Sequence, residues 1–234
     1  MVRWQRLGAV GVTVVVVAGC SARDAGDTGR TKDAASVSAT PSSAGARPTT
    51  AGELKSLLLR DADVPQAERS TVQGPVPRYD PRVRVPGRGC QDVFDALVAH
   101  HASTSVIQDF WWKGRRWGGR TWLASYAGTG AAERFQKLTD GLKSCGTLVG
   151  QTPEGTLNSR ISQVRTAAFG DEAVTFDLSS TGPDGTALVN HHTWVRVGPL
   201  TVDMSDRGAE RPPRFPIDVV IDRQLDRLTK RSRT

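Results

Sequence analysis

Cysteine is scarce in this 234-residue chain: there are three, at positions 20, 90 and 145, and no CxxC spacing among them. That scarcity excludes a zinc ribbon, a thioredoxin-like redox motif and a densely cross-linked secreted scaffold. Also missing are the GxSxG elbow of a serine hydrolase, the HExxH helix of a zinc protease and the glycine-rich P-loop of a nucleotide triphosphatase. Gly128-Thr129-Gly130-Ala131-Ala132-Glu133 imitates a dinucleotide fingerprint, but Glu133 replaces the third glycine and would set negative charge beside a pyrophosphate. It reads as a turn opening a helix. Histidine is rare too, with two adjacent pairs, His100-His101 and His191-His192. Neighbours on a strand point to opposite faces, so His191 and His192 do not share an ion, and His101 reads as a border residue on the apolar side of a helix. No metal and no cofactor is expected. Long hydrophobic runs are absent as well. The apolar stretch from Leu7 to Ala18 falls short of the about 20 residues that a bilayer-spanning helix requires.

That stretch has a different meaning. Arg3 and Arg6 precede it and Val17-Ala18-Gly19-Cys20 closes it, giving the charged, apolar and small-residue regions of a secretory signal over residues 1–19. The order resembles the lipobox of bacterial lipoproteins. The resemblance implies that Cys20 is diacylated as the mature N-terminus, anchoring the chain on the extracytoplasmic face of the cell membrane. Two acyl chains suffice for stable residence there. Residues 20–49 are Ser-, Ala-, Thr- and Gly-rich with almost no large apolar side chains, the composition of a flexible tether. Formal charge is +7. A mild basic excess on an exported chain points to anionic lipid or wall polymer, and nucleic acid is not expected as a partner. With Cys20 consumed by lipid, Cys90 and Cys145 remain, and an even remainder in an oxidising compartment favours a disulfide.

One domain is expected over residues 50–229, followed by a basic tail at 230–234. Thr50-Ala51-Gly52-Glu53 is a capping box, and Leu54, Leu57 and Leu58 follow at helical spacing up to Pro65. Pro75, Pro77, Pro81 and Pro86 make the segment to residue 89 an extended loop. Helices are expected from about Cys90 to His100, from Ala131 to Ser144 and from Ile217 to Leu228. Val106–Trp112 and Thr121–Tyr126 flank Gly118-Gly119 as a hairpin. Alternation across Val174–Leu178, Ala187–Val197 and Leu200–Ser205 gives a meander. The sum is an α+β domain, an antiparallel β-sheet with helices packed on one face.

In this order several segments resemble the PknH-like extracellular sensor domain of bacterial receptor kinases and of many lipoproteins of high-GC Gram-positive bacteria. They are Leu57-Leu58-Leu59 leading to Ala62-Asp63-Val64-Pro65, Gly89-Cys90 opening a helix, and Ala131–Phe135 running to Leu142-Lys143-Ser144-Cys145. Trp194-Val195-Arg196-Val197-Gly198, followed by a second strand, completes the series. The resemblance implies an antiparallel sheet with helices, a disulfide framework and a ligand cleft. Family members often carry two bridges, and this chain can form one. It carries no kinase segment, so a signalling output is expected to need a partner.

The densest chemical patch runs from Phe110 to Trp122. Indole faces interleaved with guanidinium groups bind sugars, headgroups or anionic polymers by stacking, cation–π contact and charge. Trp111, Trp112, Arg115, Arg116, Trp117 and Arg120 are therefore the candidate ligand surface. The plainer reading is a hairpin whose indoles alternate into the core, with at least one of Trp111 and Trp112 buried. The functional expectation is a non-enzymatic lipoprotein binding an envelope ligand or a membrane partner. The alternatives are a protein-interaction module without a small ligand and, further down, an envelope hydrolase.

Overall fold

The structure, a computed structural model, describes residues 47–65, 67–75, 84–111, 118–152, 155–182, 185–207 and 215–231. The signal, Cys20, most of the tether, Trp112, Arg115, Arg116 and Trp117 lie outside the described residues. None of the described helices is long and apolar enough to cross a membrane.

The capping box forms as its spacing requires. The Glu53 amide donates to Thr50 Oγ1 at 3.3 Å and the Thr50 amide to Glu53 Oε2 at 2.7 Å, opening helix α1 (Ala51–Ser56). These bonds from Thr50, aided by the Arg47 guanidinium, lower the Glu53 carboxyl to about 2. Three further helices follow: α2 (Arg88–Leu97), α3 (Gly130–Ser144) and α4 (Ile217–Arg231). The expected end of α2 at His100 is corrected to Leu97. Ala99 adopts φ +48° and His101 φ +67°, left-handed conformations that an α-helix does not continue through.

Eight strands make one antiparallel sheet: β1 (Arg69–Gln73), β2 (Thr104–Trp111), β3 (Gly118–Ser125), β4 (Thr147–Thr152), β5 (Gly155–Ala167), β6 (Glu172–Thr181), β7 (Ala187–Val197) and β8 (Leu200–Arg207). Their order is β1-β2-β3-β8-β7-β6-β5-β4, so the N-terminal run β1–β3 joins the last strand at the β3–β8 pair. The α+β class with its antiparallel sheet is what the sequence pattern implies. Strand alternation divides the core. Val106, Phe110, Leu123, Val195, Val202 and Met204 point to one face, where Leu54, Leu57 and Leu58 and the α4 residues Val220, Ile221, Leu225 and Leu228 cover them. On the other face Val174, Phe176, Leu178 and Trp194 meet Val93 and Phe94 of α2 and Phe135, Leu138 and Leu142 of α3. Each helix pair thus covers one face, α1 and α4 across β2, β3, β8 and β7, and α2 and α3 across β7 to β4, which corrects the expected packing of all helices on a single face: the strands alternate apolar residues to both sides.

The expected bridge is present: Cys90 on α2 and Cys145 at the end of α3 are joined, with Cα atoms 4.9 Å apart. Part of the segment from Pro65 to residue 89 is strand rather than loop, because β1 pairs residue by residue with β2 from Arg69↔Trp111 to Gln73↔Ile107. The C-terminal basic face is less free than its composition implies. Arg227 Nη2 donates to Asp63 Oδ2 at 2.6 Å and Nη1 to the Leu58 carbonyl at 2.6 Å, and Gln224, fully buried, donates to the Leu57 carbonyl at 2.8 Å. Arg223 also donates to the Asp63 carbonyl. These bonds latch α4 onto the segment after α1.

Asp63 is the charge at the centre of that latch. The hydrogen bond from the Arg60 side chain, then the Arg60 amide and the Arg227 charge, bring its carboxyl down to about 2 against the opposing effect of burial. An unfolded Asp titrates near about 3.9, so the folded state gains from ionised Asp63 above that value and loses the gain as pH falls through about 2. D63N is therefore expected to flatten the acid limb of the stability profile between about pH 4 and 2. Urea midpoints across that window check this, and parallel wild-type and variant profiles contradict it.

Candidate functional site

At its start α3 reaches β3, where Ala131 clusters with Ala124, but the α2–α3 layer leaves part of its sheet face open. A cleft of about 260 Å³ lies there. Phe94 and Leu97 of α2, with Leu148, Leu157 and Leu178 from the sheet, supply an apolar wall. The opposite wall is polar and comes from three adjacent strands: Arg120 and Trp122 of β3, Asp203 and Ser205 of β8, Asn190 and His192 of β7. Alternation explains the set. Arg120 pairs across with Ser205 and Trp122 with Asp203, while Ser205 pairs with His192, so all five side chains leave the same side of the sheet.

Two side-chain pairs order this wall. Arg120 Nε donates to Asp109 Oδ1 at 2.7 Å and Nη2 to Oδ2 at 3.3 Å, a forked contact across the β2–β3 register. His192 Nδ1 lies 2.9 Å from Asp203 Oδ1 and 3.2 Å from Oδ2, and its ring stacks on Phe176 with centroids 5.1 Å apart and planes at 4°. The carboxylates are each tied to a nitrogen base rather than to one another, so the described lining carries no carboxylate dyad for acid–base hydrolysis. Trp122 contributes a donor: its Nε1 is buried and has no hydrogen-bond partner among the described residues.

Arg120 is the member of the expected ligand surface that lies in this cleft. Trp111 sits on the same side of the sheet by alternation but outside the lining, and at 38% exposure its indole faces solvent. The other four expected residues fall outside the description. Sequence reasoning missed His192, Asp203, Ser205 and Asn190. Alternation in β7 and β8 places each on a definite side, but the register that sets them beside Arg120 is a long-range pairing no local pattern encodes.

His191 and His192 do point to opposite faces. His191 Nδ1 lies 2.6 Å from Asp177 Oδ1, and its amide donates to Asp206 at 3.0 Å. That side of the sheet holds a second hollow of about 360 Å³ beside the start of α4, lined by His191 and Asp206, which make these contacts, and by Asp218. Elsewhere, the turn after α2 brings together Asp95, His100 and His101. His101 is exposed there, which corrects its expected place on the apolar side of a helix. Partial desolvation where the ring meets the turn, then the charges of His100 and Arg134, lower its pKa.

No family model matches the chain, and no curated protein matches it either. Among solved structures, the crystal structure of the extracellular domain of PknH from Mycobacterium tuberculosis is similar, with a TM-score of 0.57 at 15% identity. The similarity covers 80% of this chain and 100% of that one. At such identity the likeness speaks for backbone architecture, which the sequence segments around Leu57–Pro65, Cys90, Cys145 and Trp194 anticipate. The chain has a PknH-like fold.

Proposed function

We propose that this protein is a lipoprotein anchored through Cys20 on the extracytoplasmic face of the membrane, and that its domain is a non-enzymatic, sensor-like module binding a small envelope ligand. The observation that carries the reading is the two-sided cleft. An aliphatic wall opposite an ordered polar wall suits a small amphiphile that buries hydrocarbon and presents an acceptor to Trp122 Nε1 or Arg120. The similarity to an extracellular domain supports a location outside the cytoplasm. Engagement of Asp109 by Arg120 and of Asp203 by His192 favours binding over hydrolysis. The second reading, a protein-interaction module without a small ligand, is favoured by exposed Trp111.

Native mass spectrometry of the full chain, extracted in detergent from its own envelope, tests the proposal. A retained small-molecule mass is expected, with occupancy falling roughly tenfold or more in R120A and W122A, the scale of a lost charged or buried hydrogen bond. A bare chain that instead carries another protein, weakened by W111A, moves the assignment to the interaction module.

A further inference from the structure

The turn between α2 and β2 has a feature the cleft does not use. We propose that Asp95, His100 and His101 form a binding site for a divalent cation of the zinc class. Their ligand atoms lie within 4.8 Å of one another. His100 Nδ1 sits 3.3 Å from Asp95 Oδ2, yet this atom is buried and makes no hydrogen bond among the described residues. Two ligands at 2.0–2.1 Å on one tetrahedral ion stand ~3.3 Å apart, so this pair already has the separation of a shared metal. His101, exposed at the rim, closes the set by a side-chain rotation that brings its ligand atom in by up to about 1.5 Å.

The backbone explains how consecutive histidines converge. In a helix or strand, neighbouring side chains diverge. Here the left-handed turns at Ala99 and His101, φ +48° and +67°, bring the two imidazoles together with centroids 3.9 Å apart. Such conformations are costly for residues with a Cβ and gather at ligand clamps. The carboxylate is oriented from behind: Gln91 Nε2 donates to Asp95 Oδ1 at 2.7 Å, leaving Oδ2 turned toward His100. That is the outer-shell support typical of a ligating carboxylate. Two imidazoles and one carboxylate suit zinc and its borderline neighbours over calcium or magnesium, and leave a fourth position for water. Arg134 is the opposing charge, with Nη1 3.7 Å from Asp95 Oδ2 and Nη2 donating to the His100 carbonyl at 3.3 Å. It keeps affinity modest and gives Asp95 a partner when no cation is bound.

Calorimetric titration of zinc(II) chloride into the full chain in detergent at neutral pH tests the site. One equivalent is expected to bind and to raise the thermal midpoint. H101A, which removes an exposed side chain, is expected to keep the zinc-free midpoint and weaken binding by at least roughly tenfold. D95N is expected to weaken it likewise, and H191A, on the far sheet face, to leave it unchanged. The proposal is overturned if the wild type binds no zinc, if H101A binds as the wild type does, or if H191A abolishes binding.

Discussion

Breaking the Cys90–Cys145 bridge is expected to lower the unfolding midpoint by roughly 8–16 °C, from a loss near 4 kcal/mol spread over a domain of this size. The bridge closes a 55-residue separation, and the cost follows from the loop entropy returned to the unfolded chain. Beside the bridge the helices approach closely: a Cβ on Gly141 would meet the Gly89 carbonyl oxygen at 2.5 Å. Val93 and Phe94 of α2 also share a core with Phe135, Leu138 and Leu142 of α3, and that packing is what remains when the bridge is cut. Thermal melts of the wild type with and without reductant, alongside C90S/C145S, measure the effect. A difference under about 3 °C would mean that the packing between α2 and α3 holds the pair without the bridge.

Trp194→Ala is expected to cost about 3–5 kcal/mol, comparable to the bridge. Trp194 is 1% exposed in a central strand, and its ring meets Phe135 of α3 at a centroid distance of 5.9 Å. Removing it opens a void under α3 that the sheet cannot close, because β7 is pinned on both sides by β6 and β8. The α2 residues lining the cleft share that core, so ligand occupancy is expected to fall along with stability. W194F should recover most of both. Urea midpoints check the first, and a loss below about 1.5 kcal/mol would show that the ring is not packed as described.

Much of this architecture is legible without coordinates. The stripe through Ala131, Phe135, Leu138 and Leu142 marks α3, and alternation through Val174–Leu178 and Leu200–Ser205 marks two strands of the meander. The Cys90–Cys145 pair follows from counting thiols. Other elements were hidden for physical reasons. β5 carries Arg160, Ser162, Gln163 and Arg165 and shifts register between Ser162 and Arg165, so its alternation is broken where a pattern would be sought. β1 lies among prolines and gains strand character only from its pairing with β2. The cleft was half visible. Arg120 stood out by its aromatic surroundings, but His192 and Asp203 acquire their meaning from strand neighbours far away in the chain.

The division of the core between two faces also guards against misassembly. In most half-buried strands a slip of one residue exchanges core for solvent. In β7 it would exchange one core for the other, pushing Trp194 into the slot shaped for Val195 and Val195 into the space beneath α3. Both faces would fail at once, one overfilled and the other hollow. The strand at the centre of the sheet therefore reads its alignment twice, and the same backbone that separates the cleft face from the α1–α4 face enforces the pairing that builds the cleft.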